Sequence, residues 1–291
     1  MRGFNTKIPI ILSVMARPVL KWVGGKRRLI DDIVSLLPRD YQTRAYHEPF
    51  FGGGALFFHL ESEAGSINDV NQRLMNFYKI LRDRPDELIE EASKYVYEKG
   101  EYYRLRTRFN EGPLGDVEDA AILLYLNKTG YNGLYRVNSK GAYNVPFGRY
   151  KKPRIVDEAR IKEASRLLMN IDIFSERFYN VLSHAKSGDI VYFDPPYLPV
   201  SETSDFTSYS KTGFGYDDHV LLRDTCLELD GDGVLFVQSN SYVEPVIELY
   251  ADIEGFRIEV VQMNRPINSK ASKRGEVKEL LVTNIPQNVE I

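Results

Sequence analysis

The stretch Asp189-Ile190-Val191-Tyr192-Phe193-Asp194-Pro195-Pro196-Tyr197 (DIVYFDPPY) passes without a break from an apolar run into a carboxylate, two prolines and an aromatic ring. An unbroken apolar run of this length reads as a strand buried on both faces, the pattern of a parallel sheet. Pro195 and Pro196 have no N–H and a fixed φ, so the segment cannot continue a central ladder and its carbonyls stay available as acceptors. The carboxyl end of a parallel strand is where open α/β sheets bind ligands. Asp194 and the Pro195 carbonyl, held side by side, suit the two hydrogens of an exocyclic amine. That contact draws the nitrogen lone pair out of conjugation, and Tyr197 offers a face on which an aromatic base can stack. The plainer alternative is an ordinary strand-ending turn.

Outward from this corner, short apolar runs ending in polar or glycine punctuation recur: AYHEPFFGGG, GSINDVN, NIDIFSERF, GVLFVQSN, FRIEVVQ and VKELLVTN. Each reads as a strand. GALFFHLES, DDHVLLRDTCLEL and EPVIELYADI between them carry helical patterns, so the alternation predicts an α/β sheet with crossover helices. The last two runs are joined by a loop too short for a crossover, which predicts an antiparallel final pair. From Asn71 to Arg154 the rhythm breaks into charged helical segments, a helix over VEDAAILLYLNKTG, and two β-prone runs, Leu134 to Asn138 and Ala142 to Phe147, flanking a Ser-Lys-Gly turn. This predicts a hairpin within an insertion between two strands.

EPFFGGGALFF places Gly52 and Gly54 between a predicted strand and a predicted helix, where glycine lets backbone approach a ligand closely. Phe57 stands where a dinucleotide fingerprint has its third glycine, which weakens a nicotinamide-dependent oxidoreductase reading. Asp69 ends the next strand, positioned to accept both hydroxyls of a ribose. A glycine-rich turn followed by an acidic strand end points to an adenosine-containing ligand.

The 291 residues suffice for one substantial domain with an insertion, and 43% apolar with 27% charged residues fits a soluble globular chain with no bilayer-length apolar run. Cys226 is the single cysteine, which excludes an internal disulfide and a cysteine-built zinc site and suits a reducing compartment. His47, His59, His184 and His219 lie in contexts that do not converge on a metal. Net charge is −3, yet Arg17 to Arg28, Arg136 to Arg154 and Arg265 to Arg274 are basic and free of acids, suggesting a local surface for a polyanion. The opening residues 1–16 read as a leader of uncertain role. Val14-x-Ala16 after a brief apolar stretch has the outline of a signal peptide, but a packed or frayed leader, or translation starting at Met15, fits better.

LKWVGGKRRL, EPFFGGGALFF, INDVN, NGLYRVNSKGAYNVPFGRYKKP and DIVYFDPPY together, in this order, resemble the Dam-type DNA adenine-N6 methyltransferases. The resemblance implies a Rossmann-like sheet, mostly parallel with an antiparallel final strand, formed by residues 17–70 and 155–291, with a target-recognition domain at 71–154. It implies S-adenosylmethionine as methyl donor, touched by Trp22, Lys26, Glu48, Gly52, Gly54, Asp69, Phe174 and Asp194. Asp194, Pro195, Pro196 and Tyr197 would be the catalytic corner. On the DNA side, Tyr131 resembles the wedge that enters the stack when the target base leaves, with Asn132 beside it. Lys21, Leu134 and Arg136 resemble base readers, Pro146 a groove contact and Arg149 a phosphate contact. Double-stranded DNA, with GATC as the site, is the expected substrate of a cytoplasmic monomer, alone or alongside a restriction endonuclease of the same specificity. Ser201 to Phe214 is expected either to close over an extruded base or to remain a surface loop. Cytosine-N4 methylation, methylation of adenine in RNA, and a non-catalytic DNA-binding protein on the same fold are the alternatives.

Overall fold

A computed structural model describes residues 16–24, 26, 28–112, 115–198, 213–263 and 277–287. The leader up to residue 15, Arg27, nearly all of the Ser201–Phe214 segment and the third basic stretch lie outside them. Among the described residues one seven-stranded sheet is assembled from β1 (Tyr46–Glu48), β2 (Gly65–Asn68), β3 (Ile171–Phe174), β4 (Ile190–Phe193), β5 (Leu235–Ser241), β6 (Arg257–Met263) and β7 (Val277–Thr283). All seven coincide with the apolar runs read from sequence. Their order is β3-β2-β1-β4-β5-β7-β6. β1 to β5 run parallel, while β7 lies antiparallel between β5 and β6. The mixed α/β architecture is that of a Rossmann-like methyltransferase sheet.

Two consequences of this order place the site. From β1 the chain moves outward to β2 and β3, then returns to β4 on the other side of β1, so the crevice between the carboxyl ends of β1 and β4 is a topological switch point. Because β7 runs backwards, its first residues lie at that same edge, with Glu279 opposite Ser241 of β5.

The two faces of the sheet are covered differently. On one, Tyr46, Ile67, Ile173, Tyr192 and Leu281 join a core shared with the short helices α1 (Ile30–Leu36) and α2 (Phe57–Leu60) and with α3 (Gln72–Asp83), α4 (Pro85–Ser93), α5 (Lys99–Asn110) and α6 (Asp116–Thr129), so these helices and the sheet form one continuous apolar mass. α6 is buried from Asp119 to Asn127, packed against α3, α4 and α5, which is why its sequence is apolar with little amphipathic stripe. Asn71 caps α3 by accepting from the Leu74 N–H, and Arg73 on α3 pairs with Asp119 on α6. On the other face Val191, Phe193, Phe236 and Val282 pack with Leu222, Cys226 and Leu229 of α8 (Tyr216–Gly231) and Val246 and Leu249 of α9 (Glu244–Tyr250). α7 (Glu158–Leu168) packs on α3 and α4 as the chain returns to β3.

Two local expectations change. GALFFHLES forms a single helical turn, Phe57–Leu60, ended by Glu61 in the left-handed region at φ 51°. The segment 134–147 doubles back as predicted but makes only isolated antiparallel bridges, Val137 with Tyr143 and Gly130 with Phe147, without regular strands. Side chains explain this. Asn110 donates to the Tyr143 carbonyl and accepts from its N–H, occupying backbone groups that a further strand would use, and Pro146 has no N–H to extend the ladder.

Candidate active site

The carboxyl edge of β1 and β4 opens into a cleft of about 1150 Å³. Its floor is the glycine loop. Gly52 and Gly54 have φ of +49° and +65°, and a Cβ on Gly52 would meet the Trp22 ring at 2.6 Å. Trp22 is thereby laid directly on the loop, and it stacks on Tyr135 with ring centroids 5.2 Å apart. The Gly52 N–H donates to Asp69 Oδ2 at 3.1 Å and the Asn71 N–H to Oδ1 at 2.9 Å. Each Asp69 oxygen keeps acceptor capacity for a further donor. Burial pushes the Asp69 carboxyl above its ordinary range, against those two hydrogen bonds.

Glu48, at the end of β1, is 4% exposed and accepts from the Tyr46 hydroxyl at 2.8 Å. Burial pushes its carboxyl up to about 8. Across the switch point Asp194 leaves β4. Its Oδ1 accepts from the Ser239 hydroxyl at 3.1 Å and lies 3.2 Å from the Lys26 ammonium. Burial raises Asp194 to about 6, with Lys26 and Ser239 holding it down. The same ammonium sits 3.9 Å above the centre of the Tyr197 ring, and the Tyr197 hydroxyl donates to Glu279 Oε2 at 2.7 Å. Lys26 therefore bridges a carboxylate acceptor and an aromatic face, two groups that also suit a flat amine-bearing ring.

The resemblance's cofactor and catalytic residues are brought together with one exception. Trp22, Lys26, Glu48, Gly52, Gly54, Asp69, Asp194, Pro195, Pro196 and Tyr197 all line the cleft. Phe174 does not. It stacks face to face on His184, centroids 3.9 Å apart, and its segment meets the site only where the Ser175 hydroxyl donates to the Asp69 carbonyl.

The residues that the resemblance assigns to DNA lie on an adjoining surface. Asn127 accepts from the Lys21 N–H, donates to the Lys21 carbonyl and donates again to the Gly133 carbonyl, joining the 16–24 strap to the loop that follows α6. Lys21 lines the cleft mouth, its ammonium 4.9 Å from the centre of the Tyr150 ring. Tyr131 is 53% exposed and Asn132 adopts φ 55°, so the pair forms a projecting tip. Leu134 is half-buried; Arg136, Pro146 and Arg149 face solvent. Arg136 donates from Nε to Asn144 Oδ1 at 2.7 Å. Among the described residues no group of three His, Cys, Asp or Glu could hold a metal.

Several residues that line the cleft or bond to its lining escaped the sequence reading. Ser239 and Glu279 reach Asp194 and Tyr197 from β5 and β7. Phe50 stacks on Phe178 at 5.3 Å and lines the cleft, and its only local mark in the sequence is its proximity to the glycines of EPFFGGG. Lys128 and Arg160 also line it. Lys128 donates to the Val19 carbonyl, and burial lowers its ammonium to about 8, with the positive charges of Arg160 and Lys21 nearby adding to that. No local pattern announces Ser239, Glu279, Lys128 or Arg160, because each sits on a helix or strand whose face is set by packing.

Comparison with known proteins agrees with this geometry. Residues 22–267 match the family model described as D12 class N6 adenine-specific DNA methyltransferase. A type II methyltransferase of Lactococcus lactis subsp. cremoris is 44% identical over 94% of this chain and 96% of its own. A DNA adenine methylase of Vibrio cholerae is 36% identical over 93% of this chain and 96% of its own, and one of Escherichia coli K12 is 34% identical over 91% and 94%. With the family model spanning most of the sequence and the acid-proline-proline-tyrosine corner closing a glycine-floored cleft, the chain belongs to the D12 class of N6 adenine-specific DNA methyltransferases.

Proposed function

We propose that the protein extrudes adenine from GATC in duplex DNA and transfers to its N6 the methyl group of S-adenosylmethionine. The observation that carries this reading is the convergence of Asp194 and Tyr197, from one side of the switch point, with Gly52, Glu48 and Asp69 from the other, around one cleft. The donor set fits the cofactor. Asp69, fixed by two backbone N–H groups, retains lone pairs for a ribose diol, Phe50 offers a ring, and the buried carboxylates Glu48 and Asp194 suit a cationic ligand. When bound, S-adenosylmethionine supplies an electrophilic methyl group on a positively charged sulfur.

An amine inside a duplex cannot meet that methyl in line, so the base must leave the stack, at a cost of a few kcal/mol. Tyr131, exposed at the tip beside Asn132, has the place and shape to fill the gap. The Asp194 carboxylate accepts one hydrogen of the amine and the Pro195 carbonyl the other, turning the nitrogen lone pair toward the cofactor side of the cleft. Asp194 then balances the positive charge that grows on nitrogen, the surplus nitrogen proton leaves to solvent during or after transfer, and Tyr197 fixes the plane of the base. Positioning and charge arrangement provide the acceleration, with no covalent enzyme intermediate. Lys26 must withdraw from Asp194 and the Tyr197 face as the base arrives.

Residues 71–154 then supply target recognition. Arg136 and Lys21 suit guanine, which offers two acceptors in the major groove, and Leu134 suits the methyl of thymine. Arg149 and Pro146 position the backbone. A cytoplasmic monomer fits a task this asymmetric, and an endonuclease sharing the site is a compatible partner. The test is incubation with labelled S-adenosylmethionine and duplexes carrying GATC or its permutations, followed by mass spectrometry of the nucleosides. N6-methyladenine confined to GATC is expected and should vanish with Asp194→Ala. N4-methylcytosine, or methyladenine outside GATC, refutes the assignment of base or site respectively.

A further inference from the structure

We infer that Glu279 is a positioning residue that fixes the Tyr197 ring plane from the antiparallel strand, an inference that rests on the proposed role of Tyr197 in holding the target base. Asp194 and Tyr197 belong to the loop after β4, and two prolines stiffen that loop without fixing the direction of the tyrosine side chain. The ring is held at two points. The Lys26 ammonium covers its face at 3.9 Å, and Glu279 Oε2 accepts from its hydroxyl at 2.7 Å. A base that stacks on the ring displaces Lys26 from that face. The bond to Glu279 lies at the ring's edge, outside the stack, and survives.

Glu279 can reach this point because β7 is reversed. In a wholly parallel sheet a strand at this position would bring its last residues to the carboxyl edge. Here the second, third and fourth residues of β7 arrive there, and Glu279 pairs in register with Ser241 on one side and Val261 on the other. The backbone of a central strand, bonded on both sides, is a rigid mount for a carboxylate, and a hydroxyl donating to an ionised carboxylate makes a strong, directional bond. The antiparallel strand thus delivers a carboxylate that aims a catalytic aromatic ring.

The test compares Tyr197→Phe, Glu279→Ala, Glu279→Gln and the double variant Tyr197→Phe/Glu279→Ala. The readouts are kcat on a GATC duplex and the Kd for S-adenosylmethionine, followed through the fluorescence of Trp22, the single tryptophan. Tyr197→Phe and Glu279→Ala are each expected to lower kcat about tenfold while leaving Kd within about twofold, the pattern of a contact that acts on the target base and not on binding of the methyl donor. The double variant should be no worse than either single one. Glu279→Gln, whose amide oxygen still accepts from the phenol, should keep kcat within about threefold of the parent. Native kcat in Tyr197→Phe or Glu279→Ala, or losses that multiply in the double variant, would overturn the inference alone. A parent protein that methylates no adenine would overturn the site reading and this inference with it. If Glu279→Ala does not fold, Tyr197→Phe, which removes one oxygen atom, decides by itself.

Discussion

Replacing Lys26 with methionine removes an ammonium 3.2 Å from Asp194 Oδ1 while keeping most of the side-chain length. Burial already raises Asp194 to about 6, and Lys26 is the largest influence holding it down. An opposite charge this close lowers a carboxyl by about 1–3 units, so its loss moves Asp194 to about 7–9. At pH 7 a carboxyl titrating near 6 is about nine-tenths ionised, whereas one titrating near 8 is about one-tenth ionised. If the carboxylate form is the one that receives the amine, kcat/KM for DNA should fall about tenfold at pH 7 and recover above pH 9. The sign is definite: the acid limb of the profile moves toward higher pH. The assay is kcat/KM for a GATC duplex from pH 5.5 to 9.5 with saturating S-adenosylmethionine, for Lys26→Met against the parent. An acid limb that stays in place, or moves to lower pH, would show that Lys26 does not control the ionisation of Asp194 and would remove the electrostatic basis assigned to the corner.

Three further outcomes are expected. Glu48, raised by burial from 4.5 to about 8, contributes stability that is fully present below pH 4.5 and is lost as pH rises through 8, since the folded state binds the extra proton; Glu48→Gln should therefore raise Tm relative to the parent at pH 9, leave it nearly unchanged at pH 4, and weaken S-adenosylmethionine binding, with equal Tm differences at both pH values counting against the assignment. Gly52→Ala forces a Cβ to 2.6 Å from the Trp22 ring at a positive φ, so a loss of roughly 1–2 kcal/mol in denaturant midpoint analysis, together with a shift in tryptophan emission, is expected; an unchanged spectrum would mean that the ring does not rest on the loop. Arg136→Ala should cost about 1–3 kcal/mol of discrimination at one base pair, measured as kcat/KM on duplexes with single substitutions in GATC, whereas an equal loss on every duplex would make Arg136 a backbone contact.

The local content of this protein was legible from residue order. Buried parallel strands announce themselves as unbroken apolar runs, and DIVYFDPPY and GVLFVQSN each became a strand paired in parallel with its neighbour. Glycines required at positive φ, two prolines that end a ladder, and an acid at a strand terminus are local chemistry as well, so Gly52, Gly54, Asp69 and Asp194 could be singled out before any fold existed. Spatial assembly was not legible in the same way. Ser239 and Glu279 lie 45 and 82 residues from the side chains they bond, and their arrival depends on which strand neighbours which and in what direction. Phe174, paired in register with Asn68 beside Asp69, turned to stack on His184 instead of lining the cleft. The predicted hairpin kept its turn but not its strands, because Pro146 has no N–H for the next rung and the Leu134 carbonyl accepts from the Tyr143 hydroxyl instead. Lys26 held against Asp194 and Tyr197 belongs to the same class, since its partners come from the far side of the switch point. Sequence order determines period, dihedral preference and the identity of the reactive groups, each of which depends on a few neighbouring residues. Strand order and register decide which of those groups meet, because through-space contacts are set by the packing of the whole sheet.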